Sequence, residues 1–306
     1  MSGELFLPAA LAMGLLVPVQ TAANARLREA AGAVSAATLL SFTVSLLFLL
    51  AADFAAGLAV LPPPAVRAET SWWMWIGGVL ALLTISAVTA LFRELGQLQT
   101  VVLPLAGQIL WSLVIDHFGL FGAARIPLSP VRAGAALLLL AGVFLAMRAG
   151  DGSGLRPGWR ALPWQALAVV SGGLMASVGA IYGTLGRLLG SAVQASALSF
   201  LAAVPVMAAV CAARGTLPLV RRAFAVRRPW WMWLGGFVGA GSVFGNAWLI
   251  PVLGAGAFFM AFLFGQILLG LCMEARGWLG AARRPVSLRQ LCGAAVMLAA
   301  VVLLRL

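Results

Sequence analysis

Trp72-Trp73-Met74-Trp75-Ile76-Gly77-Gly78 returns as Trp230-Trp231-Met232-Trp233-Leu234-Gly235-Gly236, an offset of 158 residues. Three further pairs keep that offset: Gly107-Gln108-Ile109-Leu110 with Gly265-Gln266-Ile267-Leu268, Gly122-Ala123-Ala124-Arg125 with Gly280-Ala281-Ala282-Arg283, and Ser41-Phe42 with Ser199-Phe200. Apolar composition raises chance identity, but it does not hold four separated motifs to one register. Self-similarity at a fixed period marks repeated structural units. The chain therefore reads as two copies, residues 1–148 and 159–306, joined by a cytoplasmic linker over 149–158.

Hydrophobic residues make up 63% of the 306 positions and charged residues 9%, where soluble domains carry about half and about a quarter. Apolar runs of about 20 residues, long enough to cross a bilayer as helices, fall near 5–25, 34–52, 72–92, 97–117, 132–148, 163–185, 192–213, 230–250, 254–273 and 290–304. The strict apolar–polar alternation of a membrane barrel is not seen. The expected fold is an all-α polytopic membrane protein with ten transmembrane helices. Five spans per copy reverse the orientation of the second copy. That makes a 5+5 inverted-topology repeat, with a pseudo-two-fold axis in the membrane plane.

All 20 basic residues are Arg, and the formal net charge is +12. In a soluble protein this balance would suggest nucleic acid. Here the arginines stand between apolar runs, so the lipid bilayer is the expected partner and nucleic acid is not. With the N-terminus outside, 15 of the 20 arginines fall on the inner side. The positive-inside rule then puts both termini on the outer side of the membrane. Residues 1–5 carry Glu4 and no basic residue, so the first apolar run is read as a lasting span and not a cleaved signal. Cys211, Cys272 and Cys292 lie in or beside apolar runs with no metal or disulfide spacing, and read as small packing residues.

No constellation of a soluble enzyme stands out. The chain has one His, no Lys and eight carboxylates. It is expected not to be an enzyme, and no cofactor or metal is implied. Polar residues inside spans are costly in lipid and face protein or a watery cavity. Gln108 and Gln266 match at the repeat offset, each behind a Gly and near the middle of a span. An inverted repeat brings such a pair together near the midplane, where they either bind substrate or only tie helices together. Gln20 and Asn24 share one helix face beside Pro18, which frees a backbone carbonyl. Their counterparts are Val178 and Tyr182, so an asymmetric cavity is expected. Gln20, Asn24, Gln108, Tyr182, Asn246 and Gln266 form the expected cavity lining. Asp116 and Glu274, also matched at the offset, and Glu94 at the end of the third run, are the candidates for proton coupling. Each has a rival reading as a solvated or Arg-paired end residue. The paired Trp clusters at span starts read as interface anchors.

The run Gly14…Pro18-Val19-Gln20…Asn24-Ala25-Arg26-Leu27, with Ser41-Phe42, Gly107-Gln108 and Asp116-His117-Phe118-Gly119, resembles the YdcZ-type inner-membrane exporters of the drug/metabolite transporter superfamily, in the fused ten-span form. The second half keeps less of the pattern: Gly172, Leu185, Ser199-Phe200, Gly265-Gln266 and Gly277. The resemblance implies a bacterial inner-membrane helical bundle, alternating access and export. The small multidrug branch of that superfamily couples protons through a Glu in its first helix, and the first span here holds no acid.

The expected function is that of a secondary active transporter exporting a small metabolite or drug-like molecule. Its expected partners are a small-molecule substrate and the bilayer. Protons or another ion are candidates for coupling, and a homodimer is a candidate assembly. An importer, a membrane structural or assembly protein, and an intramembrane enzyme are the alternatives.

Overall fold

A computed structural model describes residues 5–147, 161–225, 229–280, 283 and 285–303. The repeat register governs its backbone. Among the described residues every regular element is helical. The long ones are α1 (Phe6–Ala31), α2 (Val34–Ala55), α3 (Gly77–Phe118), α4 (Pro130–Met147), α5 (Leu162–Leu189), α6 (Ala192–Ala213), α7 (Leu234–Leu253), α8 (Ala255–Arg276) and α9 (Leu288–Leu303). Both ends of α2 map onto α6 at an offset of 158, and the ends of α1 and α3 map onto those of α5 and α8. Exceptional backbone repeats too. Gly32 (φ 80°) and Gly190 (φ 66°) end α1 and α5 in the left-handed conformation that closes a helix. Phe121 (φ 58°) and Leu279 (φ 52°) take the same rare conformation in two equivalent turns.

Seven described segments are long and apolar enough to cross a membrane: Phe6–Ala31, Val34–Ala55, Gln99–Phe118, Leu162–Leu189, Ala192–Ala213, Trp230–Leu253 and Ala255–Arg276. Pro130–Ala146 and Leu288–Leu303 are shorter apolar helices. Trp72 and Trp230, equivalent residues at the starts of their segments, are each 75% exposed, as residues meeting lipid headgroups would be.

The two copies differ where the runs 72–92 and 97–117 were expected to be separate. The first copy has one helix there, α3, of 42 residues. The second copy breaks at Gly254 (φ 80°, ψ 157°). Local chemistry accounts for the difference. Pro251 removes a helical donor, and Gly254 takes a backbone shape closed to other residues. The first copy has Arg93 and Gly96 at those positions, and its backbone remains helical through the interval. A straight helix of that length would measure about 63 Å. Yet α3 folds back on itself. Gly77 abuts the Tyr182 ring, Leu91 and Leu95 pack on Ala168, and Gln165 donates to Gln99 (3.2 Å). Trp111 then donates to Ser177 (2.9 Å), and Gly122, just beyond α3, meets Thr184. The chain descends along α5 and returns, with its reversal between Leu91 and Gln99.

Contacts between the copies are reciprocal. A methyl group on Gly14 would collide with the Phe262 carbonyl, and one on Gly172 with the Pro104 carbonyl. Gly107 meets the Val169 carbonyl as Gly265 meets that of Leu11. Adding 158 to one partner and subtracting it from the other converts each contact into its mate. Self-complementary exchange of this kind defines a two-fold relation. The equivalent rings Phe42 and Phe200 touch each other, edge to face at 5.2 Å, where α2 crosses α6. Ser35, at the start of α2, bonds Thr216 just past the end of α6 (2.8 Å), and Gln194, at the start of α6, donates to the Ala59 carbonyl (2.6 Å). Hence α2 and α6 run antiparallel, and the axis is perpendicular to the helices.

These crossings leave no room for side chains. Gly14→Val and Gly172→Val are each expected to abolish monodisperse, folded protein, because both would push two backbones apart. Gly134, with open space around its Cα, should accept Val at a cost of about 1 kcal/mol or less. Size-exclusion profiles and tryptophan-monitored melting in detergent check both outcomes.

Candidate functional site

The bundle encloses a cavity of about 410 Å³. Its wall is paired about the pseudo-axis: Val17 with Met175, Gln20 with Val178, Ser41 with Ser199, Thr84 with Ser242, Pro104 with Phe262, and Gln108 with Gln266. Each member stands 158 residues from its mate. The site is therefore built by both copies and lies on the axis that relates them.

Five of the six residues expected to line a cavity do so: Gln20, Gln108, Tyr182, Asn246 and Gln266. Asn24 does not. Its amide lies against Gly235, and its Oδ1 is buried without a hydrogen-bond partner. The counterpart of Asn24 is Tyr182, so one copy places this position in the wall and the other in a helix contact.

Several polar groups of the wall are already bonded, while the Ser199 hydroxyl is buried without a partner among the described residues. Ser45 donates to the carbonyls of Ser41 (3.0 Å) and Gly236 (2.6 Å), Thr84 to Leu80 (2.9 Å), Ser171 to Ala168 (2.7 Å) and Ser242 to Val238 (3.0 Å). Hydroxyls tied back in this way keep only acceptor lone pairs for the cavity. Asn246 donates to the Ser242 carbonyl (2.7 Å). Among the described residues, the amides of Gln20, Gln108 and Gln266 have no hydrogen-bond partner. They supply free donors and acceptors to the cavity. The sequence reading missed the hydroxyls, although Ser41 and Ser199 stood in its repeated motifs and Thr84 and Ser242 match at the same offset.

Two of the candidate acids, Asp116 and Glu274, lie apart from the cavity. Asp116 is fully buried. It accepts from Arg132 (2.5 Å) and from the backbone N–H groups of Ala255 (2.7 Å) and Gly256 (2.9 Å). Arg132 also donates to the Ile126 carbonyl (3.1 Å). One carboxylate thus joins the end of α3, the start of α4 and the first turn of α8, whose helix N-terminus favours a negative charge. The equivalent acid, Glu274, is exposed. Gln290 stands where Arg132 would be repeated, and bonds the Ser287 N–H instead (2.8 Å), as one half of a capping box. Glu94 lies outside the residues whose side chains are described.

The two ends of the cavity also differ. At one end α7 seals against α5: Gly179 faces Asn246 and Ile250, Gly183 faces Ile250 and Pro251, and Gly186 faces Ala247. All three glycines are buried. Their counterparts on α1, Thr21, Ala25 and Arg28, are exposed. One end is closed over a face that the other end leaves uncovered.

The family model described as "Putative inner membrane exporter, YdcZ" matches the chain twice, over residues 5–145 and 163–303. The chain belongs to the YdcZ family. The two matches are themselves 158 residues apart, the register of the sequence motifs and of the helices. This is a multi-pass inner-membrane protein of a transporter family. A solved crystal structure superposes with a TM-score of 0.67 at 18% identity, over 99% of this chain and 96% of that one, which shows a shared fold. Among curated proteins, none matches.

Asp116→Ala is expected to destabilise the protein by about 3 kcal/mol or more, because it removes a buried, multiply bonded charge. Glu274→Ala should change stability by less than about 0.5 kcal/mol, being an exposed substitution. Melting curves of the two variants side by side test the contrast.

Proposed function

We propose that this YdcZ-family protein is a secondary active transporter with ten membrane-spanning segments. In this reading it exports a small metabolite or drug-like molecule by alternating access. The observation that carries the reading is a cavity on the pseudo-axis, with unbonded Gln108 and Gln266 contributed in equivalent positions by both copies. The tenfold count rests on the two arms of α3. Both lie along α5, so α3 crosses twice, and α4 and α9 cross once each. Antiparallel packing of the equivalent helices α2 and α6 supports opposite orientations of the copies in the bilayer.

Alternating access needs two arrangements of nearly equal energy about a fixed site. Inverted copies supply them. What α5 and α7 do at the closed end, α1 and the first arm of α3 do at the other when the copies exchange conformations. The arginine distribution puts the uncovered end, beside Ala25 and Arg28, toward the cytoplasm. A cytoplasm-open cavity suits loading for export.

Three measurements test this. In proteoliposomes, Gln108→Ala and Gln266→Ala should each reduce transport at least tenfold while leaving melting within a few degrees of wild type; transport unchanged in both would refute the midplane site. A β-carbon built on Gly186 would stand 3.3 Å from that of Ala247, close to disulfide geometry. With Cys211, Cys272 and Cys292 replaced, a Gly186→Cys/Ala247→Cys pair should stop transport when oxidised and restore it when reduced. Full activity of the cross-linked protein would count against movement at this seal. A reporter fused after Leu306 should give a signal from the outer compartment.

A further inference from the structure

We infer that the ligand of the cavity is an uncharged molecule with an aromatic or branched apolar body and amide or hydroxyl groups. This inference rests on the transport-site reading above and narrows it. Among the described lining residues none is Asp, Glu, Arg or His, and the chain has no Lys. The buried ion pair nearest in kind, Asp116 with Arg132, is spent on the first turn of α8 and lies outside the lining. A charged group entering such a wall would lose its water and find no counter-charge. Desolvation without a partner is the largest penalty a binding site can impose.

The wall also states what it accepts. Phe42 and Phe200 meet edge to face on the axis (5.2 Å), and Phe259 and Phe262 also belong to the lining. Rings of this kind favour aromatic or branched bodies through offset and edge contacts. The free amides of Gln108 and Gln266 offer N–H donors and carbonyl acceptors together, and the tied hydroxyls offer acceptors only. A ligand that meets them needs both acceptor and donor atoms on an uncharged frame. Such a frame leaves no buried amide unpaired, which is how neutral polar sites discriminate.

A matched set of probes tests this on the full-length wild-type protein in nanodiscs at pH 7. The three share a benzamide body and differ only at the para position: 4-(hydroxymethyl)benzamide is neutral, 4-(aminomethyl)benzamide is a cation and 4-carbamoylbenzoate is an anion. Binding is read by tryptophan fluorescence and thermal stabilisation. The neutral probe should bind at least tenfold more tightly than either charged one, and Gln108→Ala/Gln266→Ala should remove the difference. Equal or tighter binding of a charged probe overturns the inference, and so does the absence of saturable binding by all three. Tracer counterflow in proteoliposomes separates this from the transport reading. A neutral probe that binds and does not cross leaves the ligand class standing and defeats transport. A charged probe that crosses leaves transport standing and defeats the ligand class.

Discussion

The bundle depends on backbone meeting backbone at a few crossings. At Gly14 against Phe262, and again at Gly172 against Pro104, a glycine lets a carbonyl oxygen come where any side chain would stand. In lipid no hydrophobic force draws helices together, so close packing at small residues does that work. The reciprocity of these contacts fixes the relation between the copies. With these crossings formed, α2 meets α6 on the axis, and the cavity lies between the copies, walled by residues of α1, α2, α3, α5, α6, α7 and α8.

Much of this was legible in the chain. A single register of 158 exposed the two copies, and the same register singled out Gln108 and Gln266, because a costly polar residue repeated at one place in two spans is hard to explain as accident. The identity of the runs as helices followed from their length and lack of alternation. Other features were hidden for physical reasons. Helical periodicity puts Gln20 and Asn24 on one face, but it cannot say where that face stops meeting the cavity and starts meeting Gly235. The partners of Asp116 lie 16 residues on, at Arg132, and 139 on, at Ala255. Only the three-dimensional meeting of α3, α4 and α8 makes that acid a buried cap. Helical backbone carries α3 across 93–96, yet the chain reverses there, so the runs 72–92 and 97–117 stand as two arms, while the second copy breaks outright at Pro251 and Gly254.

Symmetry and its failures have separate roles. The shared register builds the scaffold and the paired walls. Two departures fall at or beside the cavity, Val178 for Gln20 and Tyr182 for Asn24, and a third, Gln290 for Arg132, falls at the buried ion pair away from it. Gln20 in one copy and Val178 in the other make the wall chemically unequal at one pair of equivalent positions.

The unequal acids carry a thermodynamic consequence. In the alternating-access reading proposed above, two identical halves would hold the two facing states at equal energy by symmetry, whatever the strength of the bonds within each. Asp116 ties the joint between α7 and α8, and among the described residues Glu274 has no matching grip on the first copy. Every 1.4 kcal/mol of that imbalance shifts the resting ratio of the two states tenfold. Joining the copies in one chain thus does more than fix their stoichiometry. In that same reading, a single carboxylate would set which side of the membrane the empty carrier waits on.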